Sequence, residues 1–577
     1  MKHYLIALLF LLPSLSRAEL SVPHFFSDHM VLQRNTDAAL WGTTSPDTEV
    51  TLTFGEESVS TTADEAGKWR IAVPTGEANA RGRDLVISAD GEKLTLSDVL
   101  VGEVWFASGQ SNMVMTMNRI PDYENLIAKS DHPGIRMFNA PMVTALEPQT
   151  DIEGEWSICA PDTVPLYSAT AFFFGRKLHS ELEIPIGIIK SAWGGKPVET
   201  FTSRKALKTL PGTKRLVDAA VERDSLYVEA DAVAAYQKRL TNWNETVAAS
   251  KKLPKEERKK LPKKPQPPKR YLETEGQPGV LFNSMINPFA GYTMRGAIWY
   301  QGEANAKPGA VPYDKTLPLL IRDWRARWDH DFSFNFVQLA NFKTATSEPG
   351  DNDQWPLLQD RMRRILDTTP KTGMAIINDI GEAKDIHPKN KKDVGERLAL
   401  WALAKDYGRD IVYSGPLYLS HQINKGKIQV KFDHVGDGLK ARDGKALQRF
   451  EIAGKDKTWR WAEAEISDTD TVTLSHPDIA KPKAARYAWA ANPDGANLVN
   501  SEGLPASVFR TDDWDDVIEV VDNSAAEALE ARRALATEIK NLGAKRNEFE
   551  RNSKEWKSLN EKRSSLLEKF RETAPGK

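Results

Sequence analysis

The sequence predicts an α/β protein in which a parallel sheet is covered by helices on both faces. From about residue 97 to residue 408, short hydrophobic segments alternate with helical patterns, which is typical of β-α-β units. A β-rich segment precedes this region and another follows it. At 577 residues the chain is too long for one hydrophobic core, so we expect several domains.

The composition is that of a globular protein, because 40% of the residues are hydrophobic and 27% are charged. The formal net charge of -2 gives the whole chain no electrostatic preference for nucleic acid or for an anionic membrane. Cys159 is the single cysteine, which excludes an internal disulfide framework and a thiolate metal cluster. We predict that its thiol is buried and inert.

Residues 1–18 have the pattern of a signal peptide. Lys2 precedes an apolar run at residues 5–12, and Ser16 and Ala18 form a small-x-small cleavage site. The alternative is an uncleaved membrane anchor, but this run is far shorter than the roughly 20 apolar residues that span a bilayer. No other segment is long enough to cross. We therefore predict a secreted or periplasmic protein that has no membrane partner.

Residues 19–96 are predicted to form an N-terminal β domain. Side chains in residues 48–54 alternate between polar and apolar, and residues 68–73 form another short strand. Turn sequences follow at residues 64–67 and 88–92. Because no helical period occurs here, we expect a small β-sandwich-like domain.

Residues 97–408 are predicted to hold the parallel sheet. The predicted strands are residues 102–108, 135–138, 186–193, 296–301, 334–340 and 374–379. Helical patterns lie between strands, for example at residues 169–180 and 355–367. In such a sheet the carboxyl ends of the strands meet at one edge.

An insertion, residues 205–275, interrupts this region and is predicted to be helical and rich in lysine and proline. Within it, residues 251–270 hold ten Lys or Arg against two Glu, together with five Pro, so they cannot form a core. One interpretation is a surface that meets an anionic polysaccharide. A solvated insertion is the favoured interpretation, since runs of charge are usually solvated.

The C-terminal part is predicted to contain a second β domain, residues 409–515, and a helical tail, residues 522–577. Strands are predicted at residues 427–432 and 486–491. The apolar residues of the tail follow a seven-residue spacing that Arg563 breaks. These are Leu535, Leu542, Phe549, Trp556 and Phe570. We predict a coiled-coil-like tail or a helical hairpin, which packs on its own chain or makes an oligomer with another copy.

Four separated segments place hydroxyl, amide, glycine or acid–base groups at the carboxyl end of a predicted strand. They are GQSN with Gln110 and Ser111, WGGKPVET with Gly194, Gly195 and Glu199, WYQGEAN with Gln301, Glu303 and Asn305, and DIGEAKDIHPKN with Asp385 and His387. A convergent set of this kind suits acyl transfer. An imidazole activates a serine, a carboxylate orients the imidazole, and N–H groups stabilise the oxyanion.

Each group also has a purely structural interpretation. Ser111 could cap a helix, Asn305 could form an Asx-turn, and His387 could begin the helical run that follows it. Gly194 and Gly195 could form only a turn. The presence of all four segments in this order favours the chemical interpretation.

The motifs GQSN, WGG, QGEAN and DIHP, in this order and each after a strand, resemble the SGNH hydrolases and, within them, the sialate O-acetylesterase-like branch. The resemblance covers about residues 20–515, including the insertion, and leaves out the helical tail. It implies an SGNH domain, which is a flavodoxin-like, three-layer, parallel-sheet domain, flanked here by the β-sandwich-like domains.

The resemblance also implies the roles of the site residues. Ser111 is implied as the nucleophile, and its own N–H as one oxyanion donor. His387 is implied as the general base and then the general acid. The second oxyanion donor is implied to be Gly194 or Gly195, with Gly195 favoured, and the third is the side chain of Asn305.

The acid that orients His387 is the point where this chain departs from the pattern. Many SGNH enzymes place it three residues before the histidine, where this chain has Lys384. Asp385 is two residues before, and in an extended segment its side chain would point to the same side as the imidazole, so we predict Asp385. Asp379 and Glu382 are alternatives, as is a Ser–His dyad assisted by a backbone carbonyl.

Gln110, Gln301 and Glu303 are predicted to bind substrate, either through sugar hydroxyls or by bracing the loops of the site. The other histidines have no comparable setting and are interpreted as structural. The sequence contains no HExxH, paired-cysteine, EF-hand or P-loop motif, so we predict no metal and no cofactor.

Together these features predict a serine carboxylic ester hydrolase. The predicted reaction removes acetyl esters from sugars, either the 9-O-acetyl group of sialic acid or acetyl groups of a plant-type glycan, through an acetyl-serine. The predicted partner is therefore an acetylated carbohydrate and not nucleic acid. Two alternatives stay open, namely a non-catalytic carbohydrate-binding protein on the same fold and a serine esterase for another acyl group.

Overall fold

The computed structural model describes residues 18–258, 260–514 and 523–572. The predicted signal peptide, residues 1–18, lies outside these ranges except for Ala18, and it stays a prediction. Within the described ranges, each helix is too short or too polar to cross a bilayer.

The chain between residues 18 and 96 forms short strands. They are β1 (Val31–Gln33), β2 (Asp37–Thr43), β3 (Glu49–Phe54), β4 (Glu57–Thr62), β5 (Lys68–Pro74) and β6 (Asn79–Ala89). β2 pairs with β5, and β3 lies between β4 and β6, all antiparallel. Exposed and buried residues alternate along β5, so Trp69, Ile71 and Val73 all face the hydrophobic core.

One long strand, β7 (Glu92–Gly109), connects this region to the central sheet. Its first part pairs antiparallel with β6, and its last part lies between two parallel neighbours. Residues 99–109 are all buried, as expected for a strand that is covered on both faces. The boundary that we predicted at residues 96 and 97 therefore falls inside a continuous strand.

The central sheet is completed by β8 (His132–Asn139), β9 (Trp156–Cys159), β10 (Ile186–Ala192), β11 (Gly296–Tyr300), β12 (Ser333–Val337) and β13 (Thr372–Ala375). The order across the sheet is β13-β12-β11-β7-β10-β8-β9. All neighbours in this row are parallel except β8 and β9. The sheet is therefore mixed, with a parallel centre and an antiparallel edge strand.

The position of β7 fixes where a ligand can bind. The chain passes from β7 to β10 on one side and later to β11 on the other side. Where connections leave a parallel sheet in opposite directions, a crevice opens at the carboxyl ends of the strands. Gly109 and the residues that follow β7 lie at this crevice.

The described helices range from one turn to seven turns. They are α1 (Ser111–Val114), α2 (Tyr123–Ile127), α3 (Ala169–Leu182), α4 (Arg204–Leu207), α5 (Pro211–Asp224), α6 (Glu229–Lys252), α7 (Tyr313–Trp328), α8 (Gln354–Thr368), α9 (Lys391–Lys405), α10 (Asn523–Arg546) and α11 (Lys554–Glu572). α3 packs on α9, and α7 packs on α8.

Helices lie on both faces of the sheet. Trp105 of β7 packs on Phe174 of α3, whereas the next residue, Phe106, packs on Trp324 of α7. Successive residues of a strand point to opposite faces, so α3 and α7 cover opposite faces of the sheet. This arrangement confirms the α/β class predicted from the alternation of strands and helices.

The last β-rich part contains β14 (Leu417–Asn424), β15 (Lys427–Asp433), β16 (Lys440–Ala441), β17 (Phe450–Ala453), β18 (Trp459–Trp461), β19 (Glu463–Asp468), β20 (Thr471–Ser475), β21 (Ala484–Tyr487), β22 (Leu498–Val499) and β23 (Phe509–Arg510). They form antiparallel sheets around a second hydrophobic core. The strand predicted at residues 486–491 is shorter, because Ala488 adopts a φ of +52° and ends the extended segment.

The described part of the tail, α10 and α11, packs against the insertion of the same chain. Ile539 and Phe570 are buried in a small cluster with Leu226, which follows α5. Arg546 Nη2 lies 2.7 Å from Asp231 Oδ2 on α6. α10 and α11 also pack on each other, so part of the apolar surface of the described tail is used within the chain.

Candidate active site

β7 ends in a turn that requires glycine. Gly109 has a φ of +134°, and a Cβ there would lie 2.1 Å from the carbonyl oxygen of Tyr300. The N–H of Gln110 donates to that same carbonyl over 2.9 Å, and α1 then begins at Ser111. The N-cap of this helix is Gln110 and not Ser111, so the serine does not have the capping role that we considered for it.

Ser111 and His387 are in hydrogen-bond contact. Ser111 Oγ lies 2.9 Å from His387 Nε2, although the residues are 276 positions apart. On the other side of the imidazole, His387 Nδ1 lies 3.1 Å from Asp385 Oδ1. All three side chains are partly exposed, so a substrate in the crevice can reach the hydroxyl.

Asp385 is the acid that the structure places beside the imidazole. Its Oδ1 also accepts from the backbone N–H of His387 over 2.9 Å, which is the pattern of an Asx-turn. The segment therefore bends at His387 and is not extended as we expected. Lys389 Nζ donates to Asp385 Oδ2 over 2.7 Å, and this ammonium group lowers the pKa of the Asp385 carboxyl to about 2.

The alternative acids have other partners. Asp379 binds the guanidinium groups of Arg397 and Arg442. Glu382 accepts a hydrogen bond from the backbone N–H of Lys389 over 2.9 Å. Lys384 is exposed to solvent. Of these acids, Asp385 is the one whose carboxylate contacts the imidazole.

Gly194 and Gly195 lie in the turn after β10. A Cβ at Gly194 would lie 3.3 Å from Ser111 Cβ, so this backbone packs directly against the serine. Gly195 has a φ of +68° and open space where a Cβ would be, so its requirement is conformational. The glycine in contact with Ser111 is therefore Gly194, although the sequence favoured Gly195 as the donor.

The amide of Asn305 is held in one orientation. Its Nδ2 donates to both carboxylate oxygens of Glu199, over 3.0 and 3.3 Å. Its Oδ1 accepts from Gln301 Nε2 over 2.8 Å and from the N–H of Val198 over 3.1 Å. Burial raises the pKa of the Glu199 carboxyl. The sequence shows Glu199 in its motif but does not indicate this role.

Gln110 and Gln301 are enclosed in the protein, and Gln301 has 0% exposure. Gln110 Oε1 accepts from Gln301 Nε2 and from the N–H of Ala304, each over 3.3 Å. The hydroxyl of Tyr313 lies 2.7 Å from Gln301 Oε1. These positions brace the loops of the site and do not present the two amides to a sugar.

Asn112 and Lys391 are residues that the sequence did not single out. Lys391 Nζ donates to Asn112 Oδ1 over 2.5 Å, and Asn112 Nδ2 donates to Glu303 Oε1 over 2.5 Å. The carboxylate of Glu303 is directed inward, and burial raises its pKa. Asn112 lies in the GQSN motif, which is a usable signal, whereas a lysine in the run KNKKD looks like an ordinary solvated residue.

The structure also bears on metals and on the cysteine. In the part of the chain that is described, no cluster of three or more His, Cys, Asp or Glu residues could hold a metal ion. Cys159 is buried as predicted, and burial raises the pKa of its thiol to about 12.

Comparison with known proteins places the chain among esterases, although no family model matches it. It is 27% identical over 532 residues to the sialate O-acetylesterase of Mus musculus, covering 84% of this chain and 93% of that protein. The sialate O-acetylesterase of Homo sapiens is 26% identical over 518 residues, covering 81% of this chain and 87% of that protein.

A solved structure extends this similarity. The crystal structure of a novel carbohydrate acetylesterase from Xanthomonas citri superposes with a TM-score of 0.71 at 33% sequence identity. The match covers 86% of this chain and 100% of that chain.

Proposed function

The chain belongs to the sialate O-acetylesterase-like carbohydrate acetylesterases, and from this we propose that it removes acetyl groups from sugar hydroxyls through an acetyl-serine at Ser111. The observation that carries the proposal is the 2.9 Å contact between Ser111 Oγ and His387 Nε2. It lies at the carboxyl edge of the central sheet, where α/β enzymes bind their ligands.

The order of the strands supports an SGNH domain within the proposed enzyme. When β7, β10, β11, β12 and β13, which are five of the six parallel strands of the central sheet, are numbered along the chain, their order across the sheet is 2-1-3-4-5. This is the flavodoxin-like order. β8 and β9 then extend the sheet at the edge beside β10. We retain the division of the chain into a central hydrolase domain and flanking β domains as part of this proposal.

In the first half of the proposed reaction, the Ser111 hydroxyl attacks the acetyl carbonyl carbon. Nε2 of His387 takes the hydroxyl proton, and the Asp385 carboxylate stabilises the imidazolium from the Nδ1 side. The tetrahedral intermediate then expels the sugar oxygen, which takes the proton from His387. The acetyl group is left on Ser111.

In the second half, His387 takes a proton from water while the water oxygen attacks the acetyl-enzyme. The new tetrahedral intermediate collapses, the proton returns to Ser111, and acetate leaves. Because both intermediates carry a negative oxygen in the same place, one set of donors serves both steps.

The oxyanion donors that we propose are the N–H of Ser111, an N–H of the Gly194–Gly195 turn and the side chain of Asn305. Gly194 supports this assignment because its backbone touches the serine. The Asn305 amide supports it because its bonds to Glu199, Gln301 and Val198 hold it in one orientation. Removing one such donor typically costs roughly 10²- to 10³-fold in kcat.

The substrate and the location follow from the comparisons and from the N-terminal segment. We propose an acetylated carbohydrate, either a 9-O-acetylated sialic acid or an O-acetylated plant-type glycan. The predicted signal peptide at residues 1–18 supports secretion or transport to the periplasm, where the protein would have access to such glycans.

The first test is hydrolysis of p-nitrophenyl acetate and release of acetate from acetylated sialosides and plant glycans. Ser111→Ala should lower kcat by roughly 10⁴- to 10⁶-fold, as loss of a serine nucleophile does. Ser108→Ala is the matched control, because Ser108 lies near the end of β7, just before the site, with a buried hydroxyl that has no hydrogen-bond partner among the described residues.

Two outcomes would overturn the proposal. Equal rates for the wild type and Ser111→Ala would favour a carbohydrate-binding protein without turnover. Faster hydrolysis of long-chain esters than of acetyl esters would favour a serine esterase for another acyl group.

A further inference from the structure

The side chain that follows the nucleophile is bonded at both of its polar atoms. Asn112 Oδ1 accepts from Lys391 Nζ over 2.5 Å, and Asn112 Nδ2 donates to Glu303 Oε1 over 2.5 Å and to the carbonyl of Ile386 over 3.2 Å. An ammonium can only donate, whereas a carboxylate and a carbonyl can only accept. The orientation of the amide is therefore fixed by its partners.

The lysine of this group is unusual because it has no exposure to solvent at all. A buried ammonium is costly unless an opposite charge or a polar group compensates it. Here the compensation is the Glu303 carboxylate on the far side of the Asn112 amide, together with the ring of Tyr300, whose centroid lies 5.0 Å from Lys391 Nζ. The amide thus bridges a buried cation and a buried carboxyl group.

This amide joins the segments that carry the proposed catalytic groups. Asn112 follows Ser111 directly, and Ile386 precedes His387 directly. Glu303 lies in the same short turn as Asn305. Since Asn112 itself contacts neither the imidazole nor the serine hydroxyl in the hydrogen bonds described, its influence on them runs through the backbone.

We propose that Lys391 and Glu303 are positioning residues that act through Asn112 to hold the Ser111 loop and the His387 loop at reacting distance. The proposal rests on the proposed function for its kinetic readout. No substrate atom is assigned to either residue.

The charge of Lys391 gives this group a pH dependence. Burial lowers the pKa of the Lys391 ammonium to about 7, and the charged groups that face it are Glu303, Asp385, Glu382 and Lys389. As pH rises through this value, the ammonium becomes neutral and Glu303 loses its compensating cation. The bridge is therefore complete below about pH 7 and weakens above it.

The test uses the full chain carrying Lys391→Met, which keeps the length and the apolar stem of the side chain. We expect kcat for p-nitrophenyl acetate to fall by about 10- to 100-fold, since a small misplacement of reacting groups costs that much. KM should change by less than about 3-fold. We expect wild-type kcat to decline above about pH 7 and expect the variant to lack this decline.

A second variant, Glu303→Gln, keeps an acceptor for Asn112 but removes the charge, so it tests the proposal even where Lys391→Met fails to fold. If the two residues act through one amide, the double variant should lose little more kcat than the worse single variant. Additive losses, or a Lys391→Met enzyme with wild-type kcat and pH profile, would overturn the proposal.

A readout that does not need the natural substrate separates this proposal from the proposed function. The rate at which a fluorophosphonate labels Ser111 reports the activated hydroxyl, and we expect it to fall in Lys391→Met. Glu451→Gln is the control for Glu303→Gln, because Glu451 is a buried carboxyl on β17 that accepts a hydrogen bond from the N–H of Gly350 and lies outside the site.

These results can be told apart. If the fluorophosphonate labels Ser111 of the wild type but the enzyme releases no acetate, the proposed function is wrong. The positioning proposal is then decided by comparing the labelling rates of the variants with that of the wild type. Labelling of folded Lys391→Met and folded Glu303→Gln at the wild-type rate would end the positioning proposal.

Discussion

The carboxylate of Asp385 accepts hydrogen bonds from two sides. His387 lies at Oδ1, and the ammonium of Lys389 lies at Oδ2. Because Lys389 lowers the pKa of this carboxyl to about 2, Asp385 is ionised throughout the range in which a histidine base operates. The residue can therefore fix the imidazole tautomer at any working pH.

Asp385→Asn is expected to lower kcat strongly with little change in folding. An asparagine amide can donate to Nδ1 and so stabilise the tautomer that carries its proton on Nε2, which cannot accept from Ser111. In a Ser–His–Asp triad this error costs roughly 10⁴-fold. The measurement is kcat for p-nitrophenyl acetate, and retention of more than about a tenth of wild-type kcat would contradict the role.

Lys389→Met is the comparison for that variant, and the direction of its effect follows from the pKa of Asp385. Without the ammonium, the pKa of Asp385 should rise toward its ordinary value of about 3.9. Because the pKa of Asp385 is lower in the folded protein than in the unfolded chain, the ionised carboxylate contributes stability above the unfolded-state pKa. This contribution is lost as pH falls toward 2. We therefore expect kcat near pH 7 within about 3-fold of wild type.

At the scale of elements, the end of β7 sets the position of Ser111, the proposed nucleophile. The chain turns at Gly109, where a Cβ would lie 2.1 Å from the carbonyl oxygen of Tyr300. β11 ends at this same tyrosine. The two central strands thus touch where the site begins. A side chain at Gly109 would force them apart and displace Ser111.

Gly109→Ala is expected to lower both the thermal unfolding midpoint and kcat. The backbone conformation alone costs about 1–3 kcal/mol for a residue with a Cβ, and the clash adds to it. Gly76→Ala is the comparison without a clash, because Gly76 also has a positive φ, +66°, but has open space around its Cβ position. The same melting midpoint for both variants would show that the contact with Tyr300 is unimportant.

At the scale of the whole molecule, the tail and the insertion hold each other although they are far apart in sequence. Asp231 on α6 lies 2.7 Å from Arg546 and 3.6 Å from Arg563. Both arginines are buried, so Asp231 compensates two enclosed cations. The arginine that breaks the apolar spacing of the tail is thus a contact to the insertion.

Asp231→Asn is expected to loosen the tail without changing kcat, since one neutral amide would face two buried guanidinium groups. Limited proteolysis should cleave the tail several-fold faster than in wild type. Asp218→Asn is the control, because Asp218 pairs with Lys214 on α5 at a partly exposed position. Wild-type cleavage rates in Asp231→Asn would show that the tail is held by its apolar contacts alone.

The sequence determined the strands and helices of the central region because their signals are local. The six strands predicted from hydrophobic runs correspond to β7, β8, β10, β11, β12 and β13, and the predicted helices at residues 169–180 and 355–367 correspond to α3 and α8. The sequence analysis singled out candidate site residues because each lies in a motif after a predicted strand; these are Ser111, Gly194, Gly195, Asn305, Asp385 and His387. β9 was missed, since an edge strand of four residues leaves little pattern.

Only the tertiary structure decided which polar groups meet inside the protein. Glu199 lies beside Asn305, and Lys391 and Glu303 lie on either side of Asn112. In each of these contacts the two residues are more than 100 positions apart. Their burial, and so their shifted pKa values, depends on how the helices close over the sheet. A sequence shows periodicity and turns, which are short-range, but buried charges are stabilised by partners that only the folded chain brings near.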